Sequence, residues 1–298
     1  MNVFTRLRAA ATKARQLSSW HRSATLLRLE QIALLREYDR LHERIAKTMP
    51  GNPAAAGYKM YSQSDEDGVL AEIAQRLNIA CGTFVEIGCG DGRENNTHAL
   101  LLAGWRGVWI DGNGHHIAAI RRQLPLPSAL LAVECARVDR DSVLAVVTRP
   151  LEQIARPGEA NELDLLSVDI DGNDVAVTLP LALALRPKII VVEYNAKLRW
   201  PLTFEVAYAP DRAWQRDDYH GASLTRWVEA LSDHQLVACN VAGINAFFVR
   251  VDLAGVFQSY SPAQLEQPAR VHMAALRAGH APTLKFLADH LRRQDGER

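Results

Sequence analysis

Two strand-like runs in the last third of the chain, QLVACN (235–240) and NAFFVR (245–250), are separated only by VAGI. So short a link permits a hairpin and forbids a helical crossover. Upstream the pattern differs. From Tyr58 onward, strand-like runs at TFVEIG (83–88), GVWID (107–111), ALLAVE (129–134), DLLSVD (164–169) and KIIVVEY (188–194) alternate with helical stretches such as NTHALLLAG (96–104) and NDVAVTLPLALAL (173–185). Such alternation is the signature of a parallel sheet covered by helices. The expected fold is therefore α/β: a mostly parallel, Rossmann-like sheet closed by a C-terminal antiparallel hairpin.

Outside that sheet the chain reads as helical. Leu17, Trp20, Ala24, Leu27, Leu34, Tyr38, Leu41 and Ile45 follow alternating steps of three and four, with Gln31 the polar interruption, which is a heptad seam. Leu26, Leu29, Ile32 and Leu35 widen the apolar face, so self-association of this helix and packing within the chain both satisfy the pattern. MPGNPAAAG (49–57) reads as a linker. Ser64 with Asp67 resembles a capping arrangement for a helix over 65–77. In SPAQ (261–264), Ser261 reads as N-cap and Pro262 as the first helical residue of a C-terminal helical pair. The expected organisation is a helical, coiled-coil-like extension with linker (1–57), a central domain (58–252) and a C-terminal helical segment (253–298).

Composition narrows the function classes. With 34 basic and 34 acidic residues among 298, the chain lacks the basic excess of a general nucleic-acid binder. Cys81, Cys89, Cys135 and Cys239 form no C-x-x-C pair, which suits a reduced, cytoplasmic protein without zinc. The longest apolar runs fall far below the roughly 18 residues of a membrane span. Residues 1–28 carry Arg6, Arg8, Lys13, Arg15, Arg22 and Arg28 and no acid; a solvated helix start is preferred over an amphipathic helix lying on a membrane surface.

The chemistry concentrates in FVEIGCGDGRENN (84–96), where a glycine-rich turn follows an apolar run. Glycine at such a turn lets a ligand approach the backbone. The pattern from Gly88 is G-x-G-x-G, with Arg93 where a dinucleotide fingerprint has its third glycine. Asp111 ends the next strand, where an acidic side chain in doubly wound sheets accepts from both hydroxyls of a ribose. The missing third glycine and the final hairpin both favour S-adenosylmethionine over NAD.

With these residues in place, YSQSDEDGVLAEI, FVEIGCGDGRENNTHALLLAGWRGVWIDGN, DLLSVDIDGND, IIVVEYNA, YHGASL and CNVAGINAFFVR together resemble the FkbM-type branch of the class I S-adenosylmethionine-dependent methyltransferases, over most of residues 58–252. The resemblance implies an O-methyltransferase whose acceptor is a sugar hydroxyl of a polysaccharide, glycan or glycosylated metabolite. DIDGND (169–174) departs from the D-V-E-G sequence often found in such relatives, and the first 57 residues lie outside the likeness. A nicotinamide-dependent oxidoreductase and a non-catalytic cofactor-binding assembly protein are the alternatives.

Residues and resemblance together assign the cofactor's methionine end to Glu86, Gly88 and Gly90, with Asn95 or Asn96 adding donors. Asp111 is assigned the ribose, and the sides of Ala136 and Val138 the adenine. Asp169 and Asp171 leave the fourth strand and Glu193 and Asn195 the fifth, all on the ligand-binding edge. Asp169 is the first choice of catalytic base and His220 the second, while Asp171, Glu193 and Asn195 are assigned to the substrate. The same oxygens suit Mg²⁺, but hydrogen bonding to sugar hydroxyls is preferred and no metal is assigned. Trp200, Tyr208, Trp214 and Tyr219 either stack on sugars or anchor the loop 195–220; His115 and His116 receive no role.

Overall fold

The computed structural model describes residues 3–155, 163–275 and 280–296, with side chains described from Leu26 onward. The chain divides into two compact units, 1–41 and 42–298. Helix α1 (Val3–Thr48) supplies all of the first unit that is described and the opening turns of the second. Leu17, Trp20 and Ala24 of the seam, and the basic side chains before Arg28, lie outside the described side chains. Leu26, Leu27, Leu29, Ile32 and Leu35 are exposed. Within the second unit the end of α1 is packed: Ile45 and Met49 are buried, and His42 Nε2 lies 3.2 Å from Asp65 Oδ2.

The segment expected as a linker is packed too. Asn52 caps a short 3₁₀ turn (Pro53–Ala56) by accepting from the Ala54 N–H, and Asn52, Pro53 and Ala54 are buried. Helix α2 (Glu66–Arg76) follows, starting after Asp65 and without a Ser64 side-chain cap. The Asp67 N–H that such a cap would engage donates instead to the Ser62 hydroxyl at 3.2 Å, and Asp67 Oδ2 accepts from the N–H groups of Met60, Tyr61 and Ser62 and from the same hydroxyl.

A seven-stranded sheet forms the core: β1 (Thr83–Ile87), β2 (Arg106–Asp111), β3 (Leu131–Cys135), β4 (Leu165–Val168), β5 (Ile189–Glu193), β6 (His234–Cys239) and β7 (Asn245–Arg250). The order is β3-β2-β1-β4-β5-β7-β6, parallel as far as β5, with β7 antiparallel to both neighbours. The expected sheet and hairpin are present. Strands β4 and β5 read as unbroken apolar runs because a parallel strand is covered on both faces, and Leu165, Leu166, Ile189, Ile190, Val191 and Val192 are all fully buried.

Helices α3 (His98–Leu102), α4 (Gly114–Gln123), α5 (Val143–Ile154) and α6 (Asp174–Leu185) occupy the crossovers, and α7 (Leu224–Ala230) precedes the hairpin. Beyond it come one short turn of helix, α8 (Pro262–Leu265), and α9 (Lys285–Gln294). Gln264 accepts from the Ser261 N–H, as the SPAQ pattern anticipates, yet the helix stops after Leu265. Strand order reverses between β1 and β4, so the loops leaving β1, β2, β4 and β5 converge at one edge, the place where open α/β sheets bind ligands.

Candidate active site at the carboxyl edge of the sheet

The three glycines of the β1 turn have three different reasons to be glycine. All have positive φ, at 91°, 57° and 77° for Gly88, Gly90 and Gly92. A Cβ on Gly88 would fall 1.7 Å from the Asp169 carbonyl oxygen, and one on Gly92 would fall 2.8 Å from the Trp109 ring. A Cβ on Gly90 would meet nothing within 4 Å. Gly88 therefore keeps β1 against the β4 turn, Gly92 packs the loop on β2, and Gly90 is the glycine that leaves open space.

Glu86 lies buried beneath this turn, with Oε1 accepting from the Asn96 N–H (2.8 Å) and Oε2 from the Thr97 N–H (3.2 Å) and hydroxyl (2.5 Å). The Thr97 hydroxyl accepts in turn from Trp109 Nε1 at 2.7 Å. Glu86 thus holds the loop that carries Asn95 and Asn96, where the sequence assigned it to the ligand itself. Asn96 donates its amide to Ser167 Oγ at 3.1 Å. Asn95 is buried with neither amide atom hydrogen-bonded.

Beside the turn lies a cavity of about 620 Å³ lined by Gly88, Gly90, Asp111, Ala136, Val138, Asp169 and Asp171, among others. Asp111 stands at the end of β2 with Oδ2 accepting from the Gly90 N–H (2.9 Å) and Oδ1 from the Asn113 N–H (2.7 Å). Each oxygen keeps acceptor capacity for a further donor. An open glycine, a fixed carboxylate at the second strand and apolar sides after the third fit the donors and acceptors of S-adenosylmethionine, whereas Glu86, Asn95 and Asn96 do not line this cavity.

A second cavity of about 600 Å³ is lined by Gln63, Glu193, Asn195, Trp214 and His220, and also by Asp169 and Asp171. Asp169, Asp171 and Trp214 line both cavities, which makes them a shared wall. The Asp169 N–H donates to the Ile87 carbonyl at 3.0 Å, continuing β4 alongside β1. Burial first, then the neighbouring Glu193 and Asp171 charges, raise Asp169 well above the usual carboxylate range. Asp171 is pushed up to about 6, chiefly by burial and then by Glu193.

Asp171 has φ of 58°, uncommon for a residue other than glycine. Asp174, at the start of α6, holds this turn by accepting from the Ile170 N–H (2.8 Å) and the Gly172 N–H (2.6 Å). Its own carboxyl is raised to about 6 by burial. His220 Nδ1 stands 3.6 Å from Glu193 Oε2, an ion-pair distance too long for a hydrogen bond, and this carboxylate raises the imidazole above its ordinary range.

Asn195 lines the second cavity, but its amide donates to the carbonyls of Asp218 (2.9 Å) and His220 (3.3 Å) and so holds the loop carrying His220. Of the four aromatics singled out in that loop, Trp214 lines the cavities, Tyr219 packs edge-on against Phe204, Arg140 covers the Tyr208 ring, and the Trp200 N–H donates to Glu266 at 2.8 Å. Sequence reasoning missed Gln63, His116 and Arg212 as lining residues. His116 Nδ1 lies 3.4 Å from Asp111 Oδ1, and its signal was available: Asn113 is an N-cap that accepts from the His115 N–H, which places His116 on the first turn of α4 beside the strand end. Nothing in the sequence marks Gln63 or Arg212.

No protein-family model matches this chain, and no curated protein does. Among solved structures, it is similar to an S-adenosylmethionine-dependent methyltransferase from Clostridium acetobutylicum ATCC 824, at 11% identity and TM-score 0.38 over 72% of this chain and 98% of that one. A TehB-like SAM-dependent methyltransferase from Corynebacterium glutamicum is 15% identical, with TM-score 0.33 over 70% and 97% of the respective chains. A SAM-dependent methyltransferase from Thiobacillus denitrificans in complex with S-adenosyl-L-homocysteine is 14% identical, with TM-score 0.30 over 53% and 57%. Likeness this distant carries no argument about chemistry, which rests on the two cavities and the carboxylates between them.

Proposed function

We propose that this protein is an S-adenosylmethionine-dependent O-methyltransferase acting on a sugar hydroxyl of a glycan or glycosylated metabolite. The observation that carries the reading is the shared wall: Asp169 and Asp171 separate a cavity suited to a nucleoside cofactor from a second one rich in hydrogen-bonding side chains. Group transfer needs such a pair of adjoining sites. The FkbM-type resemblance of the sequence supports a carbohydrate acceptor, and so does a cavity wall of Gln63, Glu193, Asn195 and Trp214.

In this reading Asp111 takes the ribose hydroxyls, Ala136 and Val138 flank the adenine, and the turn around Gly88 and Gly90 receives the methionine end. When bound, the cofactor supplies a methyl group already activated by a sulfonium leaving group. What remains for the protein is to align the acceptor oxygen, exclude water and remove a proton. Asp169 holds the position for that last task, and its raised proton affinity suits a base that must take a proton from an alcohol. Asp169 would hold the acceptor hydroxyl at the shared wall and take its proton as that oxygen is methylated.

Calorimetry with S-adenosylhomocysteine and with NAD tests the cofactor: heat for the first alone is expected, and heat for NAD alone returns the chain to the oxidoreductases. On a glycan panel with labelled S-adenosylmethionine, Asp169→Asn is expected to cut turnover at least about 100-fold with cofactor affinity nearly kept. Near-normal turnover of that variant removes Asp169 as the base.

A further inference from the structure

Three side chains lining the second cavity, one of them in the wall it shares with the first, are not accounted for by proton transfer or by cofactor binding. Asp171, Glu193 and His220 each present one ligand-type atom within 4.8 Å of the other two. Glu193 Oε2 and His220 Nδ1 are buried atoms without a hydrogen-bond partner, although they face each other at 3.6 Å. The three groups come from separate, well-held points: the turn after β4 that Asp174 fixes, the last residue of β5, and a loop whose His220 carbonyl accepts from the Asn195 amide. The cations Arg216 and Lys197 line the same cavity, the latter engaged at 3.0 Å with Asp218.

We infer that Asp171, Glu193 and His220 form a binding site for a divalent first-row transition cation, with Mn²⁺ as its best small probe. Two carboxylate oxygens and one imidazole nitrogen make a mixed donor set that suits Mn²⁺, Fe²⁺ or Zn²⁺, whereas Mg²⁺ and Ca²⁺ favour oxygen alone. Three protein ligands would leave coordination positions for water or an acceptor, in a cavity that Asp169 also lines. The inference rests on the acceptor reading of that cavity for its purpose: a cation there orients adjacent hydroxyls of a sugar and makes one of them more acidic before Asp169 takes the proton. His220 is then a ligand through Nδ1, and the second choice of base becomes a metal-holding residue.

The test is Mn²⁺ titration of the metal-stripped full chain, followed by electron paramagnetic resonance. Binding is expected to remove the free-ion signal at one equivalent, and pulsed measurements should show nitrogen coupling that disappears in His220→Gln. Glu193→Gln and Asp171→Asn should each weaken Mn²⁺ binding at least about tenfold, with near-ultraviolet circular dichroism showing that each variant is folded. If either variant misfolds, the other serves. An undiminished free Mn²⁺ signal with wild type, or folded variants that bind as tightly as wild type, overturns the site. S-adenosylhomocysteine calorimetry runs in parallel: its failure while Mn²⁺ binds removes the methyltransferase reading and leaves the cation, and the opposite result removes the cation alone.

Discussion

Glu86 shows what a single buried side chain contributes. Burial outweighs its three hydrogen bonds and raises its carboxyl from 4.5 to about 7. The folded state thus holds this proton more tightly than the unfolded chain does. The contribution is fully present below about pH 4.5 and is lost as pH rises through about 7, a change of about 3 kcal/mol from 2.5 units of proton affinity. Urea unfolding of wild type and Glu86→Gln at pH 5 and pH 8 checks it. Wild-type stability relative to the variant should fall toward the higher pH, and a constant difference would mean that the hydrogen bonds keep Glu86 ionised throughout. The residue was legible as a buried acid before a glycine turn; its engagement by Asn96 and Thr97 was not, because those partners depend on how the loop folds back.

At the scale of elements, the segment from Asn195 to Ala222 decides the acceptor side. It is long and nearly without regular structure, tied down by the Asn195 N–H to the Ala222 carbonyl and by a single bridge between Glu205 and Ala222. Arg226 on α7 pairs with Glu205, and the Ser223 hydroxyl accepts from the Phe204 N–H, which anchors the middle of the loop to the helix start. Asn195 is the hinge of this arrangement. Asn195→Ala leaves two loop carbonyls unbonded, at a cost of about 1 to 3 kcal/mol, without touching the cofactor cavity. Steady-state kinetics should show a raised KM for acceptor and lowered turnover, with S-adenosylhomocysteine affinity unchanged. Equal loss of both affinities would place the loop's role at the cofactor instead.

For the whole molecule, the division at residues 41 and 42 cuts through α1 and not at the expected linker. The second unit includes Ile45 and Met49, which are buried, and His42, which lies 3.2 Å from Asp65. Deleting residues 1–41 removes the buried side chains of Tyr38 and Leu41, and deleting 1–49 is expected to cost at least about 4 kcal/mol beyond that, because Ile45 and Met49 leave the core as well. Thermal melts of the two truncations compare them directly. Equal melting temperatures would show that the end of α1 contributes nothing to the core.

Periodicity and link length by themselves determined the sheet. Alternating strand and helix runs require parallel crossovers, and the VAGI link leaves no room for anything but a hairpin. They also placed Asp111, Asp169, Asp171 and Glu193 at strand ends, hence at one edge, since parallel strands all point their carboxyl ends the same way. What only the tertiary structure decided is which of these groups meet. His220 is 27 residues from Glu193 along the chain yet 3.6 Å from it in space, and that proximity follows from a loop whose path no local rule specifies. Gly88 tells the same story in reverse: a glycine that sequence assigns to a ligand is required by the Asp169 carbonyl, because two strands far apart in the chain lie side by side in the sheet.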